Sequence, residues 1–127
     1  MILPCLLVAP TQSMGRGVFT TESLPADLVV EISPVIVLSA SDRALVDQTA
    51  LYDYVFEWGD DRSQCCVALG YVPIYNHAFG SNCEYEMDFD HQLIRIKTMR
   101  EIAAGEELFI NYNGDWDDTT KLWFDAH

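Results

Sequence analysis

The feature that most restricts the fold of this chain is the shortness of its apolar runs. Val35–Leu38 and Gln64–Leu69 are brief, and Tyr85, Met87 and Phe89 alternate with Glu84, Glu86 and Asp88. Strict alternation puts apolar and polar side chains on opposite faces of a strand, because successive Cβ atoms point in opposite directions. Gly, Pro, Asn, Asp and Ser punctuate the runs at intervals of about 8–12 residues, the pattern of a mostly β domain. No run approaches the roughly 20 apolar residues of a membrane-spanning helix.

In chain order, Ile2–Ala9 reads as a first strand rather than a signal peptide, since it lacks a basic start and a small-residue cleavage site. Gln12–Gly17 is a polar, glycine-containing turn, and Val18–Thr21 resumes β character. Leu28–Ile32 and Val35–Leu38 are two short strands or one bent strand around Ser33-Pro34. Ser39–Asp42 supplies cap residues for a short helix over Arg43–Gln48. Leu51–Trp58 reads as a strand, Gly59–Ser63 as a hairpin loop and Gln64–Leu69 as the returning strand. Pro73–Ser81 is irregular, the Glu84–Phe89 strand turns at Asp90–Gln92 onto a partner over Leu93–Ile96, and Leu108–Tyr112 is a last strand.

The 127 residues fit a single domain over 1–127, and 50% apolar composition allows a core without covalent staples. A net charge of −13, from 20 acidic and 7 basic residues, argues against direct binding to nucleic acid. It favours cationic partners such as a lysine-rich peptide through long-range attraction, or simply keeps the protein soluble. Cys5, Cys65, Cys66 and Cys83 form no C-x-x-C pair, and no histidine stands at finger spacing, so no metal site is expected. Free thiols in apolar runs fit a reducing intracellular setting, cytoplasmic or nuclear.

Polar residues interrupt the apolar pattern at three places. Gly15-Arg16-Gly17-Val18-Phe19 comes early, Asn76-His77 with Asn82 lies in the middle, and Gly105-Glu106-Glu107-Leu108 with Tyr112 comes near the end. A polar group buried without a partner costs about 1–3 kcal/mol, so such residues are a satisfied structural knot or a site. Taken together, these pieces resemble the SET domain of protein lysine methyltransferases, whose patterns are G-x-G, N-H-x-x-x-x-N and G-E-E-L-x-x-x-Y. The similarity spans about residues 3–116, with 113–127 left as a C-terminal lid or tail.

The resemblance implies small curved β-sheets around a C-terminal pseudoknot, in which the tyrosine-bearing strand passes through a loop containing the Asn-His segment. It implies S-adenosylmethionine as methyl donor, held by Met14, Gly15, Arg16, Gly17, Asn76 and His77, with Tyr112 beside the methyl group. Catalytic roles fall to Tyr112, Tyr54 and Tyr85, and the lysine channel to Tyr54, Tyr85 and Trp116. Asn82 reads as structural rather than ligand-binding. The pattern departs from the family at Val72-Pro73-Ile74-Tyr75, where Arg-Phe is common, at Ala78-Phe79 for Ser-Cys, at Ser81 for Pro and at Asn111 for Asp. The zinc-binding flanks of many relatives are absent, so a substrate lid would come from 113–127 or a second chain.

The expected function is therefore transfer of a methyl group from S-adenosylmethionine to a lysine of a basic protein, histone-like or otherwise. The alternatives are a non-catalytic SET-fold module that binds basic proteins, and a generic β domain without a cofactor. Small size and apolar tail residues point to a homodimer. Neither composition nor resemblance implies a membrane partner.

Overall fold

The computed structural model describes residues 1–112; Trp116 and the lid or tail segment 113–127 lie outside the described residues. The first hairpin joins β1 (Leu6–Pro10) to β2 (Arg16–Thr20), from Leu6 opposite Thr20 to Pro10 opposite Arg16. Its turn closes through the Thr11 N–H donating to the Gly15 carbonyl at 2.6 Å, with Gly15 at φ 67°. That left-handed backbone favours glycine. The first strand starts later than expected: Ile2 makes only an isolated bridge to Glu31 before Pro4 interrupts the ladder.

The Ser33-Pro34 break resolves into one ten-residue strand, β3 (Val29–Leu38). Helix α1 (Ala40–Val46) follows, starting three residues earlier than expected because the Ser39 side chain accepts the Asp42 N–H. The Arg43 guanidinium ties this helix to the next hairpin by donating to the carbonyls of Arg62 at 2.7 Å and Gln64 at 3.2 Å. The strand expected over Leu51–Trp58 is half wrong. Ala50–Tyr54 is a 3-10 turn, begun by the Thr49 hydroxyl accepting the Leu51 N–H, and β4 covers only Val55–Trp58. A side-chain cap offered the backbone an alternative to a ladder. β5 (Gln64–Ala68) returns as expected.

After a 3-10 turn at Val72–Ile74 comes β6 (Asn76–His77), two residues that pair in parallel with the last strand. β7 (Cys83–Asp88) and β8 (Leu93–Thr98) form a regular hairpin, and β9 (Glu107–Ile110) ends the described chain. The strands make two sheets, in the orders β1-β2-β9-β6 and β4-β5-β3-β8-β7. β3 changes partner at Pro34, pairing with β8 through Pro34 and with β5 from Val35 onward. The strand therefore continues through a residue that cannot donate to a ladder. Val18, Val30, Ile94, Ile96, Ile102, Leu108 and Ile110 fill the core with no exposed surface. β9 lies inserted between β2 and β6, elements much earlier in the chain. This is the threaded C-terminal arrangement anticipated from the resemblance.

Candidate active site

The glycine turn, the Asn-His segment and the last strand meet. The buried Asn76 amide donates to the Arg16 carbonyl at 3.0 Å and to the Glu107 carboxylate at 2.8 Å. Gly17 lies directly beneath: a Cβ there would overlap the Glu107 carboxylate and press on the Asn76 amide. Any larger residue at 17 would displace the Glu107 and Asn76 side chains from this arrangement, and the positive φ at 15 favours glycine there. A Cβ at Gly15 would meet nothing within 4 Å, so the turn carrying Met14, Gly15 and Arg16 faces open space.

Asn82 fastens the last strand. Its amide donates to the Glu107 carbonyl at 2.8 Å and accepts the Phe109 N–H at 2.7 Å, imitating a neighbouring strand. On the β6 side, the Ala78 N–H donates to the Ile110 carbonyl at 3.1 Å. The strand was expected to run through Tyr112. It ends at Ile110 because the Tyr112 N–H leaves the sheet and donates to His77 Nδ1 at 3.0 Å.

Tyr112 is held from several directions. Its hydroxyl donates to the Tyr75 carbonyl at 2.7 Å, and its own carbonyl accepts from the Tyr85 hydroxyl at 3.1 Å. Phe56 stands edge-on to both rings, with centroids 5.3 Å from Tyr85 and 6.5 Å from Tyr112. Burial, and then the neighbouring Tyr54 and Asp53, push the Tyr112 phenol up to about 12. It therefore stays protonated near neutral pH and is unsuited to act as a general base. Tyr54 sits at the end of the 3-10 turn, 40% exposed, at the surface rather than in the packed interior.

His77 lies tilted at 47° against Tyr112, with ring centroids 5.1 Å apart, and meets Phe79 edge-on at 4.6 Å. Because Nδ1 accepts the Tyr112 N–H, the neutral ring carries its proton on Nε2. That Nε2 is buried and has no partner among the described residues. Burial lowers the His77 pKa below its ordinary 6.5. The unfolded chain therefore takes up a proton first as pH falls, and the stabilisation present above about 6.5 is lost below it. The thermal midpoint should fall as the pH drops below about 6.5, and less steeply in His77→Asn. Equal slopes in both proteins would remove His77 as the cause.

The sequence reading did not single out Phe56 or Glu107 as site residues. Phe56 looked like one aromatic among several, and only the approach of β4 to β7 gives it a role. Glu107 was visible within Gly105-Glu106-Glu107-Leu108, but the Asn76 amide that donates to its carboxylate lies on β6. At the departures from the family pattern, Ser81 is buried and its hydroxyl donates to the Cys83 carbonyl at 2.7 Å, while Phe79 is exposed and shields one edge of His77. Asn111 is also buried.

Fold and site define a small threaded β domain in which a glycine turn, an Asn-His segment and a terminal tyrosine meet at the last strand. A SET domain family model matches residues 15–113, and the chain belongs to the SET-domain family. It is 36% identical over 121 residues to the "Histone-lysine N-methyltransferase, H3 lysine-37 specific" of Schizosaccharomyces pombe, covering 94% of this chain and 77% of that protein. Two solved structures share the fold. A histone methyltransferase candidate from Plasmodium falciparum gives a TM-score of 0.64 at 20% identity, covering 91% of this chain and 98% of that one. The ctPRC2 complex, in an autoinhibited conformation bound to S-adenosylmethionine, gives 0.71 at 20% identity, covering 87% of this chain and 15% of that one.

Proposed function

We propose that this protein is a protein lysine N-methyltransferase that draws its methyl group from S-adenosylmethionine. The observation that carries the reading is the convergence of Arg16, Asn76, His77, Glu107 and Tyr112 through direct hydrogen bonds. The buried His77 Nε2, without a partner among the described residues, and the open turn at Gly15 suit a polar nucleoside with an amino-acid end. Met14, Gly15, Arg16 and Gly17 would receive that end by their backbone, and Asn76 and His77 would flank the nucleoside. When bound, the donor supplies an electrophilic methyl on a sulfonium.

The residues of this chain have two tasks. The first is to deliver a neutral amine. A lysine pKa near 10.4 lies about 3.4 units above pH 7, so deprotonation costs roughly 4–5 kcal/mol. Phe56, Tyr85 and Tyr112 offer an apolar wall that disfavours the ammonium form, and water takes the proton. The second task is alignment. Tyr112, whose hydroxyl donates to the Tyr75 carbonyl, acts toward a further neighbour as an acceptor for an amine N–H or a polarised methyl C–H. Its ring face favours the cationic product. Tyr85 holds the Tyr112 backbone and so limits the room available for successive methyl groups. Tyr54 belongs to the channel mouth, and Trp116 is assigned there on the family pattern.

The acidic surface would attract a basic protein, and the name of the Schizosaccharomyces pombe relative makes the histone H3 tail the first substrate to test. A histone substrate would place the protein in the nucleus. The test is methyl transfer from labelled donor to H3 and to a mixed lysine-rich protein pool, with thermal shift in donor product alongside. A ligand at 100 times its dissociation constant should add about 2.7 kcal/mol. Transfer to lysine supports the enzyme. A shift without transfer to any substrate leaves a binding module, and no shift removes the cofactor.

A further inference from the structure

Glu31 is a carboxylate with no exposed surface, in the middle of β3. It is there because the strand is irregular. A register shift between Val29 and Glu31 breaks the alternation, so Val30 and Glu31 are both fully buried. A bulge of this kind re-aims a side chain. Three donors converge on the carboxylate: the Ser33 hydroxyl at 2.7 Å, the Tyr71 N–H at 2.8 Å and the Tyr75 hydroxyl at 2.9 Å. Gly70 leaves room for it. A Cβ at Gly70 would overlap both the Glu31 carboxylate and the Ser33 hydroxyl, and φ is 67° there.

The other end of Tyr75 faces the site. Its carbonyl accepts the Tyr112 hydroxyl, and its neighbour is Asn76, which holds Arg16 and Glu107. The Tyr75 side chain is fully buried, and its phenol is pushed well above the ordinary value by burial and then by Glu31. It therefore remains a donor. Tyr75 is thus fixed at its hydroxyl by β3 and presents its carbonyl to the tyrosine that ends the threaded strand. Taking a carboxylate out of water is costly, and apolar residues of similar volume fill a core at least as well. What the carboxylate adds is a defined direction for one tyrosine.

We propose that Glu31 is a positioning residue for methyl transfer, acting through Tyr75 on the Tyr112 hydroxyl. The proposal rests on the methyltransferase reading above, and it predicts a local effect that can be read without turnover. In Tyr75→Phe, which keeps the ring and removes only the link to Glu31, kcat on an H3 peptide should fall about tenfold. KM and the thermal shift in S-adenosylhomocysteine should stay within roughly threefold and unchanged, respectively, since Asn76 and the glycine turn remain. Glu31→Gln should act in the same direction, and the double variant should lose no more than the worse single, because both cut one connection. By hydrogen exchange, the Tyr112 amide should lose protection in Tyr75→Phe while amides of the β3–β8 ladder keep theirs.

If Glu31→Gln fails to fold, Tyr75→Phe decides alone. Unchanged kcat and unchanged Tyr112 exchange in Tyr75→Phe, with only a lower melting temperature, would make the buried carboxylate purely structural and overturn the proposal. If the wild-type protein transfers no methyl group, the methyltransferase reading fails, and exchange at Tyr112 still settles whether Glu31 positions it.

Discussion

Replacing Tyr112 by phenylalanine is expected to lower the turnover of methyl transfer about 100-fold while donor binding changes little. The ring would keep its packing against His77 and its edge contact with Phe56. The backbone would keep the Tyr112 N–H bond to His77 and the Tyr85 bond to the Tyr112 carbonyl. Only the hydroxyl goes, and with it the donor to the Tyr75 carbonyl and the oxygen that would align the amine. Misplacing a reacting group by about 1 Å can cost on the order of 100-fold, which sets the size of the effect. Losing one partly buried hydrogen bond should lower stability by about 1 kcal/mol, too little to unfold the domain. Steady-state kinetics beside thermal shift in S-adenosylhomocysteine make the measurement. A variant with wild-type kcat would take Tyr112 out of the reaction. The phenol, pushed up to about 12, predicts in addition that no fall in activity below pH 9 arises from its ionisation.

Asn82→Ala should cause the largest loss of stability. The side chain satisfies two backbone groups of β9, the Glu107 carbonyl and the Phe109 N–H. Each group left unpaired costs about 1–3 kcal/mol, giving a loss of roughly 2–6 kcal/mol, a large part of the whole stability of a domain this size. The melting temperature should fall by on the order of 10 °C. Donor binding should weaken with it, because β9 also carries Glu107, which receives the Asn76 amide over Gly17. Asn82→Asp should not rescue the protein, since a carboxylate still accepts from Phe109 but confronts the Glu107 carbonyl with no donor. A melting temperature within 2 °C of wild type, by calorimetry or denaturant titration, would show that β9 does not depend on this clasp.

Much of the β architecture was legible because alternation and turn residues act locally. The hairpin from Gln64, the alternating β7 strand and its return through β8 all lie close to their expected positions. The errors also had local causes. The Thr49 cap turned Ala50–Tyr54 into a 3-10 segment, and a bond to His77 drew Tyr112 out of the last strand. Phe56 escaped notice because its neighbours Tyr85 and Tyr112 come from distant parts of the chain. Glu31 escaped because an acidic residue in a β-branched run reads as solvent-facing until a bulge turns it inward.

The order of its glycine turn, Asn-His pair and terminal tyrosine by itself determined which family this chain belongs to, and its alternating runs determined that it is built of strands. Residue type and spacing are enough for both, because backbone conformation and face are set within a few residues. Which side chains touch was decided only by the tertiary structure. The insertion of β9 between β2 and β6 brings Glu107 to Asn76, Tyr112 to His77 and Tyr75 to Tyr112, and it sets Tyr75 between a buried carboxylate and the candidate catalytic hydroxyl. Those contacts depend on the path of the whole backbone, and no local pattern encodes that path.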